Sequence, residues 1–133
     1  MTIGRKRADG FTLVELMIVM AIIVILAGMA TALYVNSIQR SKEAVLKSDL
    51  FRMRDAIDQY YADKNKYPAS LDALVSEKYL RTVPVDPMTN STDTWQTTMA
   101  EPQPGSSFSD TGIFDVKSGA EQTALDGTRY ADW

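Results

Sequence analysis

Apolar residues follow two different patterns in the first half of the chain. Residues 11–35 contain a single charged side chain, Glu15. As a helix, these 25 residues would span roughly 37 Å, which is enough to cross a hydrocarbon core about 30 Å thick. The pattern therefore predicts a membrane-spanning helix over residues 11–35.

Beyond Val35, apolar side chains recur at helical spacing. The five that form this apolar stripe follow one another at intervals of 4, 3, 4 and 3: Leu46, Leu50, Met53, Ile57 and Tyr60. Charged residues fill the opposite face, so the two patterns together predict one helix from about Phe11 to Asp63. A free-standing coiled coil is the alternative for the stripe, but the stripe covers too few heptads to favour it.

The rest of the chain is divided by prolines into a linker and a strand-forming region. Pro68 ends the long helix, Ser70 is the predicted N-cap of a short helix over Leu71 to Lys78, and Pro84 and Pro87 require an extended connection.

Strand-forming residues are concentrated near the end of the chain. We predict strands over Thr94 to Ala100 and Gly112 to Gly119, with residues 129–133 (RYADW) as a third short strand or an extended tail. The expected fold class is α+β, a long N-terminal helix packed through its stripe on a small antiparallel sheet. Four aromatic residues are predicted to lie in the core or on a sheet face: Trp95, Phe114, Tyr130 and Trp133.

Composition narrows the possible functions. The 133 residues include no Cys and no His, which removes thiolate chemistry and the commonest general base and argues against an enzyme. Residues 68–133 carry four basic and ten acidic side chains, a balance that should repel nucleic acid.

Glu15 is unusual in a segment suited to lipid. An ionisable side chain costs about 2.5–3.5 kcal/mol near the centre of a membrane helix, so a simple anchor explains the length of the segment but not its charge. A secretory signal peptide would have a shorter apolar region and a small-residue cleavage site at its far end. The basic residues Arg5, Lys6 and Arg7 place the N-terminus in the cytoplasm by the positive-inside rule.

The residues around Gly10 form a specific pattern. The leader MTIGRKRADG ends in Gly10, Phe11 and Thr-Leu follow, and Glu15 is the fifth residue after the glycine. This pattern resembles the type IV pilin and type II secretion pseudopilin superfamily. The resemblance implies that a membrane peptidase cleaves between Gly10 and Phe11 and methylates the new N-terminus. It also implies that Glu15 pairs with the N-terminal amine of a neighbouring subunit and so sets the axial register of a filament. The alternative is that Glu15 only caps its own helix, an interaction worth about 0.3–1 kcal/mol.

The linker and the C-terminal loop are similar to those of the major pseudopilins. The ordered matches in the linker are Tyr67, Pro68, Leu71, Leu74, Asp86 and Pro87. In the loop, Gly119-Ala120-Glu121 is followed by Asp132, with Asp126 between them. This order is similar to that of the residues in the loop where major pseudopilins hold a calcium ion. The resemblance implies calcium as a possible cofactor, bound by Glu121, Asp126 and Asp132, because calcium takes six to eight oxygen ligands. The alternative is a solvated acidic loop in which Asp126-Gly127 makes a turn.

The resemblance implies a domain order and a function. Residues 1–10 would be the cleaved leader, 11–35 the transmembrane and filament-core helix, and 36–133 a periplasmic pilin-like domain comprising the amphipathic helix (36–63), the linker (64–93) and the sheet with the C-terminal loop (94–133). The chain would lie in the bacterial inner membrane and would polymerise with itself into a periplasmic pseudopilus of a type II secretion system. Its partners would be minor pseudopilins, the assembly platform and the prepilin peptidase.

The sequence leaves two alternative functions open. The first is a type IV pilin of a surface filament, although typical members are longer and close a C-terminal loop with a disulfide. The second is a periplasmic binding module or enzyme with a single membrane anchor.

Overall fold

The structure is a computed structural model that describes residues 4, 10, 12–102, 104–105 and 111–133. Phe11, the residue on one side of the predicted cleavage site, lies outside the described residues. The chain divides into two units at the junction between Ser37 and Ile38.

A single long helix, α1, runs from Leu13 to Lys64. Its first turn is capped by Thr12, whose side-chain oxygen accepts a hydrogen bond from the Glu15 N–H at 3.2 Å. The helix ends where Asn65 adopts a left-handed conformation (φ 52°) and donates its N–H to the Tyr61 carbonyl at 2.8 Å. The predicted helix is confirmed, and its two ends lie within two residues of the prediction.

In the first unit, the side chains of α1 are exposed on every face from Leu13 to Val35. Gly28 does not interrupt the helix, and the Thr31 hydroxyl donates to the Ala27 carbonyl at 2.8 Å, which satisfies its polar group within the helix. Among the described residues, α1 is the helix with an apolar stretch long enough to cross a membrane.

In the second unit, the core is built on the apolar stripe of α1. All five stripe residues are buried, and Leu46, Met53 and Ile57 have no exposed surface. Around them pack buried residues of the linker, the sheet and the C-terminal segment: Leu74, Trp95, Ile113, Val116, Ala120, Ala124 and Tyr130. The predicted packing of the stripe against the sheet is therefore confirmed.

The short linker helix α2 spans Leu71–Ser76, and its N-cap is Ser70 as predicted, with the Ser70 hydroxyl accepting from the Ala73 N–H at 3.2 Å. The helix ends two residues before the predicted Lys78. Lys78 adopts a left-handed φ of 67°, and the N–H groups of both Tyr79 and Leu80 return to the Leu74 carbonyl. This closing arrangement satisfies the last carbonyls of the helix without a glycine.

The sheet consists of two antiparallel strands, β1 (Gln96–Met99) and β2 (Ile113–Lys117), with Gln96 opposite Lys117. Both predicted strands are confirmed, and both are shorter than predicted. The register changes between Thr98, which pairs with Asp115, and Met99, which pairs with Ile113, so Phe114 of β2 is the extra residue of a bulge.

The predicted third strand or extended tail at residues 129–133 is wrong. Tyr130–Asp132 form one turn of 3-10 helix, because the Asp132 and Trp133 N–H groups donate to the Arg129 and Tyr130 carbonyls. Only Arg129 keeps an extended pairing, as an isolated bridge to Thr123.

The four predicted aromatic residues have different environments. Trp95 and Tyr130 are buried, and the Trp95 indole N–H donates to the Pro84 carbonyl at 2.8 Å. Trp133 packs at the edge of the core and contacts the Tyr130 ring edge to face. Phe114 lies on the outer face of β2 with 52% of its surface exposed, so it belongs to the sheet face and not to the core.

Two glycines flank β2 where backbones come close together. A Cβ atom at Gly119 would overlap the Thr94 carbonyl oxygen, and one at Gly112 would overlap the Tyr67 carbonyl oxygen. These positions therefore require glycine for space, since any side chain would push the strand away from its neighbour.

The Met53→Ala variant should lose about 2–5 kcal/mol of folding free energy, because Met53 is fully buried in the stripe and its removal leaves a cavity. The Phe51→Ala variant is the matched control, since Phe51 lies two residues away on α1 and is 71% exposed. Thermal melts of both full-length variants in detergent, followed by near-ultraviolet circular dichroism, measure the difference. Equal midpoints would contradict the assignment of the core.

Candidate functional site

The first turn of α1 carries Glu15, the residue predicted for assembly. Thr12 and Glu15 stand three residues apart, and the Thr12 hydroxyl accepts from the Glu15 N–H while the Thr12 carbonyl accepts from the Leu16 N–H. The spacing Thr-x-x-Glu is a local signal for a helix start that sequence reasoning did not use. The capping acceptor observed is thus Thr12, and the Glu15 carboxylate makes no hydrogen bond or ion pair with the described residues.

The apolar surface that follows is continuous. Nearly all large side chains from Leu13 to Val35 are at least half exposed, and Glu15 is the one charged residue among them. A single chain in water would expose this entire surface, which is far larger than the apolar patches of ordinary soluble monomers. The segment is therefore built to be covered by lipid or by other protein.

The three residues predicted to bind calcium lie in the C-terminal segment, residues 120–133. Asp126 is exposed and accepts hydrogen bonds from the Thr128 N–H at 2.9 Å and the Thr128 hydroxyl at 2.6 Å. These bonds hold the pKa of Asp126 below its usual value. Gly127 has a φ of 89° and its N–H donates to the Ala124 carbonyl, so Asp126-Gly127 makes a tight turn.

Asp132 is paired with an arginine. The Arg129 guanidinium makes two hydrogen bonds of 3.1 Å to the Asp132 carboxylate. Hydrogen bonding to Asp132 raises the pKa of Arg129, and the negative charge of Glu121 adds to the effect.

The structure does not bring these three positions together. Within the described part of the chain, no three acidic side chains converge on a common point. The Arg129 guanidinium also occupies the Asp132 carboxylate that a calcium ion would need. The residues present do not fit calcium in this arrangement, and calcium binding stays a prediction without structural support.

The C-terminal segment is instead held by side chains of α1. The Glu43 carboxylate accepts hydrogen bonds from the Leu125 N–H at 2.9 Å and the Tyr130 hydroxyl at 2.8 Å. Gln39, one turn earlier on α1, donates to the same Tyr130 hydroxyl at 3.0 Å. Burial is the main reason that the pKa of Tyr130 lies above its usual value.

A second group of contacts lies further along α1. The Arg54 guanidinium donates to the Asp115 carboxylate at 2.8 Å, to the Val116 carbonyl at 2.9 Å and to the Trp133 carbonyl at 2.7 Å. The Lys47 ammonium lies over the Trp133 ring, 4.5 Å from its centroid. One helix face thus contacts β2 and the end of the chain together.

Asp86 is a residue that the sequence analysis matched only as part of the linker. It is fully buried, and its two carboxylate oxygens accept from the Ser118 hydroxyl at 2.5 Å and from the Met88 N–H at 2.8 Å. The Ser118 oxygen in turn accepts from the Ala120 N–H at 3.2 Å. Asp86 therefore ties the linker to the end of β2 and to the start of the C-terminal segment.

Comparison with known proteins places these features in a family. The model of the prokaryotic N-terminal methylation motif matches residues 5–31. The type II secretion system core protein G of Pseudomonas aeruginosa is 32% identical over 102 residues, covering 65% of this chain and 72% of the relative. The corresponding protein of Aeromonas hydrophila is 30% identical over 102 residues, covering 65% of this chain and 71% of the relative. The chain belongs to the type II secretion system core protein G family.

Pilins are also similar to this chain, over a smaller part of their length. The fimbrial protein EcpC of Eikenella corrodens is 40% identical over 81 residues, 57% of this chain and 53% of the relative. No solved structure matches the chain. The chain therefore covers a larger part of the two core protein G relatives than of the fimbrial protein.

The Asp86→Ala variant should be less stable than the wild type by roughly 1–3 kcal/mol for each donor left unpaired, because the buried Ser118 hydroxyl and Met88 N–H lose their acceptor. Asp93→Ala is the matched control, since Asp93 is an exposed acid in the same linker. Chemical denaturation followed by tryptophan fluorescence compares the two. A midpoint for Asp86→Ala equal to that of the control would show that the buried carboxylate is not needed.

Proposed function

We propose that this chain is the major pseudopilin of a type II secretion system, a structural subunit that polymerises into a filament and catalyses no reaction. The observation that carries the proposal is the exposed apolar surface of α1 with Glu15 in its first turn. Membership of the core protein G family supports the proposal. This chain covers 71% and 72% of the length of two relatives that are named as type II secretion system proteins.

The apolar segment has two possible environments in such a cycle. In the membrane, lipid covers the side chains from Leu13 to Val35. In a filament, the same side chains pack against the corresponding helices of other subunits. Each fully buried large aliphatic side chain contributes about 1.5–3 kcal/mol relative to water, so the segment is stable in either environment and unstable outside both.

Glu15 gives the assembled state its specificity under this proposal. A carboxylate surrounded by apolar helices needs a cationic partner, because an uncompensated charge in a medium of low polarity is costly. Cleavage between Gly10 and Phe11 creates an amine near the start of α1 that can serve as this partner on a neighbouring subunit. The pair forms only at one axial offset, so it would select the register in which subunits add.

The direction of membrane insertion follows from charge. Under this proposal, the basic residues Arg5, Lys6 and Arg7 stay in the cytoplasm and residues 38–133 lie in the periplasm. We propose the prepilin peptidase, the inner-membrane assembly platform, minor pseudopilins and further copies of this chain as its partners.

The second candidate is a type IV pilin of a surface filament. The similarity to EcpC favours it, but that similarity covers only about half of the relative. Electron microscopy of the cell surface, together with an assay of protein secretion in a deletion strain, separates the two. Lost secretion without lost surface filaments supports the pseudopilin, and the opposite result supports the pilin.

The mature protein extracted from the membrane should begin at Phe11, because Gly10 presents no side chain to the peptidase at the cleavage site. Intact-mass analysis measures this directly, with a strain lacking the peptidase as the control. A mass that still includes residues 1–10, or a cut beyond residue 30, would contradict the proposal.

The Glu15→Leu variant should insert into the membrane at least as well as the wild type, because the substitution removes a charge from an apolar segment. The free energy of insertion should become more favourable by up to about 3 kcal/mol. The same change leaves the neighbouring amine buried without its partner, at a cost of about 3–5 kcal/mol in comparable buried pairs. The variant should therefore accumulate in the inner membrane while filaments and secretion are lost.

The matched control for this experiment is Met17→Leu, which alters an apolar side chain of the same segment without changing its charge. Cross-linking between adjacent subunits and a secretion assay follow both variants. Normal filaments from Glu15→Leu would show that contacts elsewhere set the register.

A further inference from the structure

We propose that side chains of this chain hold the C-terminal segment, residues 120–133, without calcium: Glu43 of α1 fixes its backbone, and Arg129 pairs with Asp132. The family resemblance leads to the opposite expectation, a calcium ion held by Glu121, Asp126 and Asp132. The proposal concerns folding of the single chain and does not depend on filament assembly.

The first step of the argument is the engagement of the acidic side chains. One carboxylate oxygen of Asp126 accepts hydrogen bonds from both the N–H and the hydroxyl of Thr128, and these bonds fix the turn at Gly127. Asp132 is bound by the Arg129 guanidinium through two hydrogen bonds. The Arg129 guanidinium would have to leave Asp132 before that carboxylate could bind a metal, and among the described residues the three acids do not form a group that could hold one.

The second step is charge. A calcium ion in an acidic loop would offset the mutual repulsion of its carboxylates. Here the Arg129 guanidinium lies against the Asp132 carboxylate. Lys47 of α1 lines the same surface cavity as Asp126. Cations of the chain itself therefore lie on the side of two of the three predicted ligands, where they would repel a divalent ion.

The third step is the bond that fixes the segment. Arg129 and Asp132 are largely exposed, and exposed ion pairs contribute little to stability. The stronger contacts are at Glu43, which is partly buried and receives both the Leu125 N–H and the hydroxyl of the buried Tyr130. Hydrogen bonds to a charged acceptor are about twice as strong as those between neutral groups.

The position of Glu43 explains why it can take this role. It lies one helical turn before Leu46 and one turn after Gln39, on the side of α1 that faces the C-terminal segment. Gln39 donates to both the Thr123 carbonyl and the Tyr130 hydroxyl, so the two side chains contact the segment at three places along its length.

Hydrogen–deuterium exchange of the full-length protein in detergent tests the proposal, with and without the chelator EGTA and with added calcium. We expect exchange across residues 120–133 to be the same in calcium and in EGTA for the wild type. In Glu43→Ala, exchange in this segment should be faster by at least about tenfold, the effect expected from losing a hydrogen bond to a charged acceptor. Exchange in β2 should change much less.

Three further variants keep the result interpretable. Asp58→Ala is the matched control, because Asp58 is an exposed acid of α1. Glu43→Gln retains an acceptor oxygen and should show an intermediate rate. If Glu43→Ala unfolds the whole domain, Tyr130→Phe removes one donor to Glu43 while preserving the ring, and should accelerate exchange in residues 120–133 alone.

Two results would overturn the proposal. Slower exchange of the wild-type segment in calcium than in EGTA would show that the metal organises it. Rates in Glu43→Ala and Tyr130→Phe equal to those in Asp58→Ala would show that the Glu43 contacts do not hold the segment. Either result leaves the proposed secretion function intact, because that function is tested by processing and assembly.

Discussion

Burial of the apolar stripe on α1 is the interaction on which the folded domain depends. The elements packed against it are small: α2 has six residues, and the sheet has two short strands. Neither a helix of that length nor an isolated pair of strands is stable alone in water. Their stability comes from covering Leu46, Met53 and Ile57, which are completely buried. The helix is thus both the largest element of the domain and the surface on which the others fold.

Polar contacts then decide which arrangement of these small elements is adopted. Asp86 joins the linker to the end of β2, while Glu43 and Arg54 join α1 to the C-terminal segment and to β2. Among the described residues, no buried side-chain nitrogen or oxygen lacks a hydrogen-bond partner. Since an unsatisfied buried polar group is costly, these contacts exclude alternative packings more than they add to overall stability.

The parts of the fold that follow from local patterns could be predicted from the sequence. The spacing of the stripe residues identified α1 and its buried face, and Ser70 marked the start of α2. The turn at Tyr130–Asp132 could not be found in this way, because its strand-like composition is outweighed by contacts with α1. Glu43 and Tyr130 are 87 residues apart, and Asp86 and Ser118 are 32 apart, so no local pattern links them. The predicted roles of Gly10 and Glu15 involve a peptidase and a second subunit, which a single chain does not contain.

The fixed spacing of the stripe also limits how the length of this chain can vary in evolution. Inserting one residue between Leu46 and Tyr60 would rotate everything after it by about 100° around the helix axis and turn the later stripe residues away from the core. A deletion would do the same in the opposite direction. Between β1 and β2, by contrast, an added residue changes only the length of a connection. Insertions and deletions among homologues should therefore be rare between positions 46 and 60 and common between positions 100 and 112.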